Sequence, residues 1–537
     1  LYASSSNTLT DGSSQGHYTV NNGQYSQTYA DVLVNINKRI QDFTIVANIG
    51  ASYSGVTSKE LGYAGPIRET GIPNLFNVYD LDNAKKRATQ VGWREATESI
   101  FASAEVGWKS MLYLTVTGRN DWASQLTHSP QASFFYPSVG LSAVITEMLK
   151  LPDWMDYLKV RGSFSSVGNP YPRFLTYPTY SYDANKQDWK SQTNYPIGKL
   201  YPERTDSWEI GLDATLFKDF KLSGSFYYAN TYNQTFDPRL PVSSGYDKLY
   251  VQTGYVRNYG FEAMLSYGHR WGDFGWDSSF TFSANKNEIV ELVKDYVHPE
   301  TGKTYNVDKL ELKTDEGRGF GKAKFILKEG GTLGDLYTHA DLKRDINGNI
   351  LIDDSGNVTA IDNAGDIKLG SVLPKANLAW NNSFSYKGIN AGFLLTARLG
   401  GIVYSATQAY LDLYGVSETS AAARDAGGVW INGRSRVNPQ SFYEVVASQS
   451  GLPTYYTYSA TNLRLQEAHI GYTVPRRWLG NVCDINVSLV GRNLWMIYCK
   501  APFDPEAVAT TNNYYQGIDY FMMPSTRNIG FNIKINF

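Results

Sequence analysis

Asp345, Asn347 and Asn349, followed by Asp353 and Asp354, place side-chain oxygens at alternate positions along one polar segment. That is the donor type and spacing a hard cation such as Ca²⁺ takes. Gly348 stands at the fourth position of the run rather than the sixth, and no glutamate closes it, so the segment departs from an EF-hand. The competing reading is an Asn-Gly turn in a long polar loop. A second chemistry open to these residue types is stacking. Trp122, Tyr171, Trp189, Tyr455, Tyr456, Tyr514 and Tyr515 stand in expected loops, with Tyr177, Tyr180, Tyr182 and Tyr458 near them. Aromatic faces take sugar rings and peptides alike. Each could instead be a girdle residue or an anchor of loop packing. Covalent chemistry finds no counterpart: the six His are scattered without a His-x-x-x-His pair, and no nucleophile elbow, P-loop or dinucleotide fingerprint occurs. The residues point to binding rather than catalysis, and no cofactor is required beyond a possible structural Ca²⁺.

The elements that must position such loops are strands. From Asn528 to Phe537, Ile529, Phe531, Ile533, Ile535 and Phe537 alternate without error with Asn528, Gly530, Asn532, Lys534 and Asn536. Polar residues on one side and hydrocarbon on the other suit the wall of a membrane barrel. Similar stretches, each near the ten residues of a tilted transmembrane strand, recur about fifteen times, beginning with Thr28 to Ile36 and Phe43 to Tyr53. Polar positions interleaved with the apolar series, Asp31, Glu105, Arg119, Arg161, Glu209, Asp213, Glu262 and Arg398, are expected to face the lumen. A charge on the lipid side at mid-membrane would cost roughly 2 to 4 kcal/mol.

Composition agrees with a barrel and excludes alternatives. Only 42% of the 537 residues are hydrophobic, mean hydropathy is −0.35, and no stretch approaches the roughly 20 apolar residues of a spanning helix. A barrel tolerates this, since half of each strand faces water. Aromatics reach 14%, with 40 Tyr and 12 Trp, which suits girdles or stacking loops. A net charge of −2 leaves no basic footprint for nucleic acid. Cys483 and Cys499 flank one strand, which would hold them roughly 50 Å apart at about 3.3 Å per residue, too far for a disulfide.

Connection lengths orient the strands. Short links such as Lys109 to Met111 and Lys387 to Gly388 alternate with long ones such as Ser54 to Glu98, Ser166 to Asp206, Lys286 to Pro374 and Gly401 to Thr461. An antiparallel up-and-down barrel in an outer membrane has this asymmetry, with short periplasmic turns and long extracellular loops. Parity then places residues 1–27 outside and the C-terminus in the periplasm. With an odd count of fifteen, residues 1–537 are expected to be the C-terminal portion of a larger barrel, with plug and N-terminal strands absent. Seven further strands would give 22, the size of plugged outer-membrane transporters.

Six runs, in order, carry a resemblance. They are Ser133 to Gly140 with Leu158 to Phe164, Pro202 to Asp213 (PERTDSWEIGLD), Gly254 to Glu262, Gly471 to Pro475, Gly491 to Leu494, and Phe503 to Glu506 (FDPE). Together they resemble the SusC/RagA family of TonB-dependent outer-membrane transporters. The resemblance implies import of oligosaccharide or oligopeptide fragments through a plugged barrel, powered by the TonB complex, with a SusD-like surface lipoprotein as lid. It also implies that the Asp345 to Asp353 loop is similar to Asp/Asn-rich loops of that family that hold Ca²⁺. A structural or adhesive barrel without energised transport is the alternative. An enzyme on the barrel rim is the weakest reading, for want of a convergent acid/base pair.

Overall fold

The computed structural model describes residues 15–175, 180–183, 188–190, 194–195, 200–236, 248–297, 302, 304–312, 322–448, 451–509 and 516–536. Fifteen strands form one antiparallel sheet in which every strand neighbours the next in sequence. They are β1 (His17–Ile40), β2 (Phe43–Pro66), β3 (Arg87–Trp108), β4 (Leu112–Ala123), β5 (Ser133–Val144), β6 (Met155–Asn169), β7 (Glu203–Leu216) and β8 (Phe220–Phe236). The order continues through β9 (Val251–Trp271), β10 (Phe274–Glu291), β11 (Ala376–Tyr386), β12 (Ile389–Leu399), β13 (Asn462–Val474), β14 (Asp484–Cys499) and β15 (Asn528–Asn536). Both the expected number of membrane strands and the up-and-down order are present.

Turns at one end are tight because their residues accept left-handed backbone. Lys387 (φ 47°) and Gly388 (φ 90°) join the directly paired Tyr386 and Ile389, the two positive φ values of a hairpin turn that matches strand twist. The opposite end carries most of the long connections. One is shorter than the sequence suggests: β4 and β5 are linked by 124–132, because both strands run at this end past the stretches that alternate in sequence, Leu112 to Arg119 and Ser138 to Thr146. The same effect shortens the expected Ser54 to Glu98 loop to 67–86. There β2 continues to Pro66 and β3 begins at Arg87, paired from Tyr53↔Glu98 to Ala64↔Arg87. These extensions are polar on both faces, so their ladder is real while their hydropathy signal is absent.

Pairing register carries one face across the sheet. Phe531, Leu489, Ile470, Ala391, Phe384 and Trp276 lie on one continuous rung. Large side chains on this face, among them Ile210, Phe226, Phe261, Ile470, Leu489 and Phe531, are exposed. A contiguous apolar band of this extent marks a surface that meets something other than water. None of the helices among the described residues is long and apolar enough to cross a membrane. The buried core lies instead under the loops, where residues between Ile289 and Tyr456, with Val256 and Ile518, form one cluster that includes Phe325, Leu336, Tyr404, Phe442 and Leu452.

The 400–461 connection is not merely irregular. It holds helices at Ala406–Leu413, Glu418–Asp425 and Pro439–Val446, capped by Ser405, Ser417 and Asn438, each of which accepts a backbone N–H of the first turn. The Asn438-Pro439 pair is a helix-start signal of the N-cap and N1 type.

Candidate functional site

A rung on the polar face of the sheet brings together residues far apart in sequence. Arg161, Gly211, Ser225, Glu262, Ser283, Asn377 and Arg398 are successive cross-strand partners from β6 to β12. All of them except Gly211 border a cavity of about 770 Å³ that also touches Thr281, Thr396, Gln466 and Glu506. One cavity lined from β6 to β13 requires the sheet to curl toward its polar face, which makes that face the inside of the wall and the apolar face the outside. By the same register Asp31, Glu105, Arg119, Arg161, Glu209, Asp213, Glu262 and Arg398 all point inward, as the alternation requires.

The Trp208-Glu209-Ile210-Gly211-Leu212-Asp213 run has a local physical purpose. Residues 209, 211 and 213 share the inner face. Arg161 on β6 reaches across Gly211, with Nη1 2.6 Å from Asp213 Oδ2 and Nη2 3.5 Å from Glu209 Oε1. Ser223 donates to the other Asp213 oxygen at 2.7 Å. A Cβ at position 211 would sit 2.6 Å from Arg161 Cζ and Nε, so glycine is what leaves room for the guanidinium. A second inward group lies higher on β4. Arg119 donates to Asp121 (2.7 Å), Tyr136 Oη (3.0 Å) and Ser99 Oγ (2.7 Å), and Tyr136 donates to Asp121.

The FDPE run also acquires a role. Arg464 on β13, almost fully buried, donates Nη1 and Nη2 to the two Asp504 oxygens at 3.1 and 2.8 Å and lies 3.2 Å from Glu506. Burial is the largest influence and would raise the Asp504 carboxyl, but the hydrogen bonds from Arg464, the Glu506 N–H and Ser525, with the Arg464 charge, together outweigh it and the net shift is downward. This clamp ties the Phe503 to Glu506 segment to β13. Ile518–Asp519 then adds a strand to Ile402–Ser405, and Ser405 Oγ donates to Asp519 at 2.5 Å.

The expected stacking residues separate into groups. Trp122 belongs to β4 and sits on the outer face, opposite Glu98 and beside a groove lined by Val32, Tyr53 and Ile100. It is a girdle residue of the wall rather than a loop contact, because the strand runs to Ala123. Tyr171 is 2% exposed in a small cluster with Leu126, Phe134, Leu175 and Leu200. Tyr456 is also 2% exposed and donates to the buried Asp412 at 3.0 Å, alongside Gln408 and Ser417. Burial, reinforced by Asp412, raises its phenol far above the usual range. Both are packing anchors. Tyr455 is half-buried against Phe442. Trp189 remains available: it is 64% exposed on a hairpin of Ser181–Asp183 with Asp188–Lys190, its ring 5.2 Å from that of the exposed Tyr182. Tyr514 and Tyr515, like Tyr177, lie outside the described residues.

The Asp/Asn segment folds as two tandem turns. Asp345 Oδ1 accepts the backbone N–H of Asn347 and of Asn349, both at 2.8 Å, and Oδ2 accepts Asn349 Nδ2 at 3.1 Å. Asp353 repeats the pattern with Ser355 and Asn357. The Asn349 side chain and these amides hold the Asp345 carboxyl below its ordinary range. The oxygens at this loop thus serve its own backbone, as the Asn-Gly turn reading has it. Among the described residues no three His, Cys, Asp or Glu side chains converge as metal ligands.

A sheet of consecutive antiparallel strands, apolar outside, polar inside and bearing packed loops at one end, defines the wall of an outer-membrane β-barrel. The chain belongs to the TonB dependent receptor-like, beta-barrel family, whose pattern matches residues 1–494. It is 24% identical over 524 residues to TonB-dependent receptor P3 of Formosa agariphila, covering 90% of this chain and 50% of the relative. It is also 24% identical over 433 residues to TonB-dependent receptor SusC of Bacteroides thetaiotaomicron, covering 74% and 40%. The chain thus spans about half the length of the curated relatives it matches. Among solved structures, the RagAB peptide transporter superposes with a TM-score of 0.74 at 17% identity, over 99% of this chain and 58% of that one. The family pattern agrees with the resemblance in the six sequence runs, and the superposition shows the same fold.

Proposed function

We propose that this chain forms the wall and external loops of a TonB-dependent importer that moves nutrient fragments, oligosaccharide or oligopeptide, across the outer membrane. The observation that carries the proposal is the continuous polar rung from Arg161 to Arg398, lining an inner cavity behind an apolar outer band. In this proposal the long loops are extracellular, the C-terminus is periplasmic, and a SusD-like lipoprotein closes the loop end as a lid. The relatives' length supports placing the fifteen strands within a 22-stranded barrel, with coupling to the TonB complex through parts of a longer protein. The Trp189 and Tyr182 hairpin would contact cargo or lid. A cation at Asp345, Asn347, Asn349 and Asp353 is an accessory proposal carried by the alternation of oxygens alone. Chelator would then change loop cleavage by protease, and unchanged cleavage would remove it.

The test is growth of a deletion strain on single polymers, complemented with the wild-type gene or with Trp189→Ala. Loss of growth on one polymer, restored by the wild-type gene, identifies the cargo, and the substitution is expected to weaken uptake without reducing assembled protein. Growth unaffected by deletion on every polymer and peptide mixture would favour the adhesive barrel.

A further inference from the structure

The outer face of β7 to β10 carries charge at the loop end of its apolar band. Its turn-end rim is ringed by Phe220, Tyr267, Trp271, Phe274 and Trp276, whose neighbouring rings lie 4.7 to 6.4 Å apart. Eight residues further along β8, the rung Trp208, Tyr228, Tyr259 and Lys286 forms a second aromatic layer. At about 3.3 Å per residue and about 40° of tilt, the two layers stand roughly 20 Å apart, close to the height of an outer-membrane apolar band. The second layer therefore lies at the level of lipid headgroups.

Three cations occupy or overhang it. Lys286 Nζ lies 5.5 Å from the centroid of the Tyr259 ring, is exposed, and takes part in no ion pair among the described residues. One rung beyond, Arg257 lies 5.5 Å from the rings of both Tyr228 and Tyr255 and donates Nη2 to Tyr255 Oη at 2.9 Å. Its closest carboxylate, Glu288, is 3.9 Å away, and its Nε is buried without a hydrogen-bond partner among the described residues. Arg204 stands on the next outward rung and donates to Asp206 at 2.8 Å. Glu291, the ladder partner of Tyr255, lies 3.7 Å from Lys294, so four cations stand against three carboxylates and the patch is net positive, with Lys286 held by a ring and Arg257 by rings and Glu288. Cations poised over aromatic faces at headgroup depth are suited to phosphate.

We propose that this rim of the outer face binds the phosphorylated headgroup of an anionic membrane lipid through Arg204, Arg257 and Lys286, the acyl chains lying against the apolar band below. The proposal rests on the membrane reading of the wall and not on the identity of any cargo, so uptake plays no part in its test. The full-length protein is reconstituted in phosphatidylcholine nanodiscs doped with phosphatidylglycerol, and co-purifying lipid is measured by native mass spectrometry. Wild type is expected to enrich phosphatidylglycerol, each single change to Gln to lower the enrichment about fivefold, and R204Q/R257Q/K286Q to abolish it. Inorganic phosphate added in excess is expected not to displace the lipid. Equal enrichment by the triple variant, no preference of wild type over phosphatidylcholine, or displacement by inorganic phosphate would each overturn the assignment. Folding is checked by heat-dependent gel mobility. If the triple variant fails that check, K286Q at its exposed position decides: undiminished enrichment refutes the site.

Discussion

Exchanging two adjacent residues of β12 for arginine tests the division of the wall into an outer and an inner face. Leu395 is six residues from the start of β12, which places it roughly 15 Å up the wall for a strand tilted about 40°. That is near the middle of the apolar band. Its partner across the ladder is Trp380, on the outer face. Thr396 points the other way, into the cavity shared with Arg398 and Arg161. A lipid-facing arginine near the midplane costs about 2 to 4 kcal/mol, which is roughly a thirtyfold to seven-hundredfold fall in the folded-to-unfolded ratio. An arginine at 396 meets water and polar groups and costs less than about 1 kcal/mol. The assay is urea unfolding of the full-length protein in lipid vesicles, followed by heat-dependent gel mobility, with the assembled fraction in cells as a second readout. Leu395→Arg is expected to shift the midpoint strongly and Thr396→Arg hardly at all. Equal shifts, or a larger loss from Thr396→Arg, would refute the face assignment and with it the inner rung.

Gly211→Ala should displace the Arg161 guanidinium from Asp213 and cost about 1 to 3 kcal/mol by overpacking. Gly140→Ala, where the nearest atom would be 3.8 Å away, should be tolerated, and equal unfolding midpoints would contradict the cradle. Arg464→Met leaves Asp504 buried without its cation, at a cost of about 3 to 5 kcal/mol. Faster proteolytic cleavage within 500–527 is the expected result, whereas an unchanged cleavage rate would show that the clamp does not hold the loop. Asp366 accepts from Lys309 (2.7 Å) and contacts Lys328 (2.8 Å) and His339 (2.9 Å), and the two lysine hydrogen bonds hold its carboxyl far below the ordinary range. A depressed folded-state value stabilises above the unfolded value, near pH 4, and that stabilisation is lost as pH falls further. Asp366→Asn should therefore loosen the loop sheet at neutral pH, with the difference from wild type shrinking below about pH 4. A difference that grows on acidification would reverse the sign of this linkage.

The wall was legible because its signal is local. Each rung of Ile529, Phe531, Ile533 and Ile535 against Asn532 and Lys534 repeats at a spacing of two, and burial on one face fixes register without reference to distant residues. The same logic assigned Arg161 and Arg398 to the inside, although nothing in the alternation shows that cross-strand pairing sets them on one rung with Glu262 between. Strand ends were misjudged where β2 and β3 pair through Gly55 to Ala64, since a ladder with water on both sides needs no apolar residue. The same effect at the end of β4, which runs on to Ala123, puts Trp122 on the wall rather than in a loop. The loop aromatics failed for a different reason. Tyr171, Tyr456 and Trp189 all stand in tyrosine-containing loops, and what separates anchor from free surface is a partner far away in sequence: Leu200 for the first, Asp412 for the second. Tyrosine density marks a region that must bury or present rings, and only tertiary contacts decide which. A loop assembly with its own core, tied by Arg464, Asp519 and Asp366, is therefore a rigid platform over the cavity rather than a set of independent arms. The Trp189 hairpin contributes nothing to that core and presents its ring to solvent.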